Sequence, residues 1–122
     1  MANNHTSRIG EAGEEMAAVF LRERGLRIVE RRARLSRGEL DIVAKNGKEW
    51  VFVEVKTRTS DVMGTATSAM TAGKSRRMGR AVADYLHKNK LDDAPVRCDL
   101  VAIDFQPDGQ AKIEHFPGAI TF

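Results

Sequence analysis

Apolar residues recur at helical spacing between Gly10 and Glu23, with Ala17, Phe20 and Leu21 on one side, and the run stops at Gly25, a residue suited to closing a helix. One amphipathic helix is expected there. Leu26 to Arg32 then reads as a short extended segment, and the arginines at 31, 32, 34 and 37, set around Ser36 and Gly38, read as a basic turn. From Glu39 to Lys45 the side chains alternate, with Leu40, Ile42 and Ala44 expected on one face and Glu39, Asp41 and Val43 on the other. Asn46-Gly47 is hairpin-turn chemistry, and the β-rich run Glu49 to Thr57 that follows should pair antiparallel with the strand before it. Arg58 to Gly73, rich in Thr, Ser, Gly and Met, reads as a mobile loop leading into a second helix from about Lys74 to Asn89, with an inward stripe of Met78, Ala81, Val82, Tyr85 and Leu86. Val96 to Phe105 makes a further strand, and Pro107-Asp108-Gly109 turns it into a last one, Lys112 to Phe116. A mixed sheet of about five strands flanked by helices follows, in the α/β or α+β class.

At 122 residues, 42% of them hydrophobic, the chain is one domain with a core of its own, about residues 10–120, preceded by a flexible start over residues 1–9. The single cysteine, Cys98, excludes an internal disulfide framework and fits a reducing compartment. No apolar run at the start resembles a signal peptide, and none anywhere approaches the roughly 20 residues of a membrane span, so the expectation is a cytoplasmic protein with no membrane partner. Charge changes the picture more. The net charge is only +3, yet Leu21 to Lys90 holds 17 Lys and Arg against 8 Asp and Glu, and the remainder holds 3 against 9. A basic middle of this kind favours a polyanion such as nucleic acid over a small neutral ligand. A merely solvated charged surface is the plain alternative.

Within the β-rich run, Val51, Val53 and Val55 share one face and Phe52, Glu54 and Lys56 the other. The run is apolar enough to be buried on both sides, where an ionised group costs several kcal/mol unless it is paired or metal-bound. Asp41, on the hairpin partner, is the nearest candidate neighbour. Two carboxylates beside an ammonium can hold a hard divalent cation, with Lys56 holding or activating a water. The same residues would also make a half-buried salt bridge between Lys56 and one acid. Glu14, on the sheet-facing side of the first helix, is either a third acid of the cluster or an early-turn acid favoured by the helix dipole.

Gly13-Glu14, Gly38-Glu39-Leu40-Asp41-Ile42-Val43, Val51-Phe52-Val53-Glu54-Val55-Lys56-Thr57-Arg58, Lys74, Tyr85-Leu86 and Arg97-Cys98-Asp99-Leu100-Val101 together resemble the UPF0102 (YraN-like) family over nearly the whole chain. That resemblance implies an α/β restriction-endonuclease-like fold, akin to the PD-(D/E)xK nucleases and the archaeal Holliday-junction resolvases. It implies Asp41 and Glu54 as ligands of Mg²⁺ or Mn²⁺, with Val55 counted beside them, Lys56 as the catalytic lysine and Glu14 as an accessory acid. It further implies DNA rather than RNA as partner, and a homodimer, since two strands must be cut. Departures from the family's usual residues fall at Arg32, Ser75 and Cys98, outside the catalytic four.

The cations expected to meet nucleic acid are Arg31, Arg32, Arg34, Arg37, Arg58, Lys74, Arg76, Arg77 and Arg80. His5, His87 and His115 lie far apart with no cysteine at ligand spacing, which argues against zinc and for surface or helix-end positions. Trp50 and Phe52 read as core before base-stacking surface. Three functions remain: a metal-dependent endonuclease, a nucleic-acid-binding module that does not cleave, and a scaffold whose charged cluster is structural.

Overall fold

The apolar patterns build two helices and five strands in a computed structural model that describes residues 4–59 and 72–122. Helix α1 runs Asn4–Glu23, strands β1 Arg27–Leu35, β2 Gly38–Asn46 and β3 Glu49–Thr59, helix α2 Ala72–Lys88, and strands β4 Val96–Phe105 and β5 Ala111–Phe116. The sheet follows chain order, β1-β2-β3-β4-β5. β3 and β4 are parallel neighbours across the α2 connection, and every other pair is antiparallel. The protein is a single α/β domain with a helix on each face.

Helix α1 seals one face, where Ala17, Ala18 and Leu21 pack on Ile42, Ala44, Val51, Val53, Val101 and Ile103. Helix α2 seals the other with Met78, Ala81, Val82 and Tyr85 against Leu40, Val43, Phe52 and Leu100, and Leu86 is packed at the margin. α1 ends as expected: Gly25, at φ +92°, donates to Arg22 O, while Leu26 N–H donates to Leu21 O and buries its side chain. The close approach of α1 to β3 depends on Gly13, where a Cβ would lie 1.9 Å from Thr57 Cγ2.

Four local expectations need correction. α1 begins at Asn4 rather than Gly10, because its first polar turn has no apolar period to reveal it and no proline to stop it. Arg31 to Leu35 is strand, so the basic turn shrinks to Ser36 and Arg37 between Leu35 and Gly38, which face each other in the β1–β2 register. The β2–β3 turn is Gly47-Lys48, with Gly47 supplying a φ of +63° and Asn46 still paired to Glu49. The alternation in β2 also breaks, since Leu40 joins the α2 face while Ile42 and Ala44 join the α1 face. Both strands of the β1–β2 pair change face at one level: Arg31 opposes Ile42 on the α1 side, Ala33 opposes Leu40 on the α2 side, and Arg32 lies across from Asp41 between them. The expected loop over Arg58 to Gly73 falls mainly on residues 60–71, outside the described residues, while Arg58 and Thr59 continue β3, and Ala72 and Gly73 open α2.

Candidate active site

The break in β2 places the candidate residues. The β2–β3 ladder runs from Asn46↔Glu49 to Ile42↔Val53 and no further, so beyond Val53 the edge of the central strand is open toward β2. Asp41 fills that opening. Its Oδ2 accepts the Val55 N–H at 2.8 Å, in place of the main-chain oxygen a continued ladder would supply. The carbonyl of Val55 leaves the strand on the same side as its N–H. Glu54 and Lys56 follow Phe52 on the α2 face, as their spacing requires, and Lys56 Nζ lies 3.3 Å from Glu54 Oε1. Both are roughly a quarter exposed, so they line a cleft and are not sealed in the core.

Asp41 is the electrostatic centre of the cluster. Burial pushes its carboxyl up to about 7, the charge of Glu54 pushes in the same direction, and Glu14 adds to it. The Val55 N–H and the Lys56 ammonium pull the other way without cancelling the rise. Glu14 projects from α1 with only 13% of its side chain exposed, and its Oε2 accepts from Arg32 Nε at 2.7 Å. Glu14, Glu54 and Lys56, singled out with Asp41 in the sequence, all act on its carboxyl. Among the described residues, no three Asp, Glu, His or Cys side chains form a ready-made metal cage.

On the α2 side the cleft is bounded by Arg37, Gly38, Glu39, Glu54, Lys56, Lys74, Arg77 and Met78 and holds about 260 Å³, the liquid volume of roughly eight waters. The Lys74 ammonium faces that of Lys56, whose charge and hydrogen bond hold Lys74 below the usual lysine range. Two facing cations over one carboxylate make a place where an anion is stabilised.

The remaining expected contacts are distributed unevenly. Arg76, Arg77 and Arg80 are all exposed on α2, and of the three Arg77 lines the cleft. Arg34 is 87% exposed and lies 3.3 Å from Glu39, and Arg31 pairs with Glu15. Arg37 is clamped to Asp84 through Nε, Nη2 and its main-chain N–H, which holds its guanidinium above the usual range and the Asp84 carboxyl below its own. Arg58 is ion-paired with Asp104 on β4. Phe52 is fully buried and Trp50 packs against Tyr85 and under Lys45, both core roles. Cys98 is buried core, its thiol pushed up to about 12 by burial.

A second charged group went unread in the sequence. Asp99 is wholly buried on the α1 face and takes Arg97 Nε at 2.8 Å, His115 Nε2 at 2.8 Å and the Gly118 N–H at 2.8 Å. His115, expected at the surface, is buried, with Phe20 edge-on to its ring. The available signal was an aspartate inside the apolar run Cys98 to Ile103, two residues from Arg97, but its other partners, His115 and Gly118, lie 16 and 19 residues away. His87 is exposed, as expected. Among the described residues no helix is long and apolar enough to cross a membrane.

The profile of the family described as Uncharacterised protein family UPF0102 matches residues 13–103. Among relatives, a UPF0102 protein of Shewanella sediminis is 46% identical over 95 residues, covering 78% of this chain and 80% of its own length. One from Symbiobacterium thermophilum is 44% identical over 105 residues, 86% of this chain and 89% of that protein. Another, from Geobacter metallireducens, is 42% identical over 116 residues, 94% and 93% of the two chains. Among solved structures, SfsA of Pyrococcus furiosus in complex with Ca²⁺ is similar at 16% identity and a TM-score of 0.44, over 93% of this chain and 64% of that one.

Proposed function

The chain belongs to the UPF0102 family, and from that premise we propose that it is a Mg²⁺- or Mn²⁺-dependent endonuclease that hydrolyses phosphodiester bonds in DNA, structured or branched DNA in particular. The observation that carries the reading is the environment of Asp41: a carboxyl lifted to about 7 beside Glu54, at the rim of a cleft whose facing lysines call for an anion. Such a cluster is poorly compensated by itself. A cation between the acids and a phosphate against the lysines would balance it. The donor chemistry fits, because hard divalent cations take one or two carboxylates, a main-chain carbonyl, waters and substrate phosphate. Asp41, Glu54 and the carbonyl of Val55 are the residues that would hold it.

When bound, the ion supplies Lewis-acid polarisation of the phosphate and a bound water of lowered pKa. Lys56 is held by Glu54 and aimed into the cleft, where its ammonium orients the attacking water and offsets charge building on the phosphate oxygens. Lys74 faces the same space and holds the phosphate from the α2 side. The exposed arginines of α2 extend the positive surface beyond the cleft and position the backbone without reading bases. Asp41 and Val55 keep the strand edge open by satisfying one another.

The test is cleavage of four-way junction, flap and plain duplex DNA with Mg²⁺, Mn²⁺ or EDTA, for the wild type and Lys56→Ala. We expect metal-dependent nicking that falls by at least two orders of magnitude in the variant. DNA binding should weaken as salt rises, with a slope of about −0.9 in log–log terms per neutralised phosphate, so four to six contacts lose roughly a hundredfold or more between 50 and 200 mM. Tight, salt-sensitive binding with no cleavage of any substrate would instead assign the chain to the non-cleaving class. Absence of DNA binding at low salt would remove the nucleic-acid reading altogether.

A further inference from the structure

Arg31 and Arg32 are consecutive residues of one strand, so ordinary alternation sends their side chains to opposite faces. Both nevertheless reach helix α1. Arg31 Nη1 meets Glu15 at 2.5 Å and Arg32 Nε meets Glu14 at 2.7 Å. The device that makes this possible is the backbone of Arg32, whose φ of +52° lies in the left-handed region that side chains other than Gly, Asn and Asp rarely adopt. Strain of this kind persists only where the surroundings enforce it, and it gathers at working sites. Here it occurs at the level of Asp41, where β1 and β2 both change face.

The two partners of this ion pair differ in what they can do next. Arg32 is 48% exposed, whereas Glu14 is 13% exposed and stands close enough to raise the Asp41 carboxyl. A guanidinium exchanges a carboxylate for a phosphate readily, since its planar fork fits both. The acid, once released, stays beside Asp41, whose carboxyl already feels its charge. Building on the endonuclease reading, we propose that Arg32 is a substrate-sensing positioning residue: it neutralises Glu14 in the free protein, and a backbone phosphate of the nucleic acid takes over its guanidinium and frees Glu14 to join Asp41 as an oxygen donor for the divalent cation. Metal and nucleic acid then bind cooperatively. Because coupling is reciprocal, each strengthens the other by the same factor. The arrangement also keeps the third acid compensated in the absence of DNA, which limits idle metal loading.

The experiment is calorimetric titration of the full chain with Mn²⁺, alone and with a four-way DNA junction carrying phosphorothioate linkages, and the converse titration of the junction with and without Mn²⁺. For the wild type we expect each ligand to tighten the other by at least about fivefold. Arg32→Asn tolerates the left-handed backbone but removes the guanidinium, so free Arg32→Asn should bind Mn²⁺ more tightly than the free wild type, and the coupling should fall to the smaller factor that a phosphate shared with the cation supplies by itself. Arg32→Gly, with no backbone strain, should repeat this result and serves as the second folded variant. Glu14→Gln should show the same reduced coupling, but at the weaker Mn²⁺ affinity. Wild-type coupling retained in both Arg32 variants, or free variants that bind Mn²⁺ no more tightly than the wild type, overturns the inference. Mn²⁺ binding by the wild type with a coupling near one overturns it too and leaves the metal site standing. No Mn²⁺ binding under either condition overturns both readings.

Discussion

Asp41 shows how a side chain can be both well bonded and badly placed. It accepts the Val55 N–H at 2.8 Å, yet burial and the charge of Glu54 outweigh that bond and lift its carboxyl from an ordinary 3.8 to about 7. The consequence for stability has a definite sign. Between about pH 4 and 7 the folded protein keeps a proton that the unfolded chain has lost, so the contribution of Asp41 is full below about pH 4 and is lost as pH rises through 7. Urea midpoints across that range should therefore show Asp41→Asn equal to the wild type near pH 4 and more stable at pH 8. A variant that is less stable than the wild type at pH 8 would contradict this electrostatic account. Protection of the wild type by Mn²⁺ should grow from pH 5.5 to 8, because the ion must displace the same proton. Asp41, Glu54 and Lys56 stood out as candidates in the sequence because an ionisable group in an apolar run is costly enough to need a reason, and Glu14 because of its sheet-facing place on the first helix. Arg32 was named among the cations expected to meet nucleic acid, but its left-handed backbone and its bond to Glu14 were not legible, since nothing in the residue type announces them.

At the scale of elements, the fit of α1 against β3 sets where Glu14 stands. A methyl group at Gly13 would overlap Thr57 Cγ2 at 1.9 Å, and threonine is too stiff about χ1 to move aside cheaply. Gly13→Ala should therefore push α1 away and lower stability by about 1–3 kcal/mol, in spite of alanine's better helix propensity. Thr57→Ser removes the obstructing carbon, so the double variant should recover most of the lost melting temperature. If the two changes simply add, the contact is not what limits the approach. Mn²⁺ affinity with the DNA junction present should follow the same order, because Glu14 is carried on the displaced turn. The elements themselves were largely readable: the α2 stripe Met78, Ala81, Val82 and Tyr85, the β4 run and the Schellman-type close at Gly25 all express strong local patterns. The failures were non-local. Period-two alternation placed Leu40 beside Ile42, whereas the paired change of face at Arg32 and Asp41 separates them, and that depends on how β1 and β2 twist around each other. A run of arginines read as a turn became strand because its alternate positions are covered by α1 and α2.

Among the described residues, the charged groups around Asp99 and around Asp41 are of opposite design. Around Asp99 the charges are paired: Arg97, His115 and Gly118 N–H take its two oxygens, Arg97 also meets Glu49, and the group ties β4, β5 and the C-terminal segment together, with His115 Nδ1 buried and unpartnered. Around Asp41 the charges are open: acids press on one another, cations face each other, and a cleft separates the two sets. The first arrangement fits a structural role, and the second fits the cation and phosphate proposed above. Opposite responses to substitution follow. Asp99→Ala removes a wholly buried carboxylate from the buried His115 imidazole, the Gly118 N–H and Arg97, which keeps only Glu49, and this should cost about 3–5 kcal/mol and lower Tm by more than about 10 °C while leaving the Mn²⁺ affinity of the folded protein unchanged. Glu54→Gln takes a partner from Lys56, but at about a quarter exposure that loss is small, and it simultaneously relieves Asp41. Its Tm should therefore stay within about 5 °C of the wild type, and the stabilisation by Mn²⁺ should disappear. Melting curves of the three proteins with Mn²⁺ and with EDTA separate the cases. A Glu54→Gln protein that melts as early as Asp99→Ala, beside a wild type indifferent to Mn²⁺, would make the Asp41 cluster a second structural network and not a site.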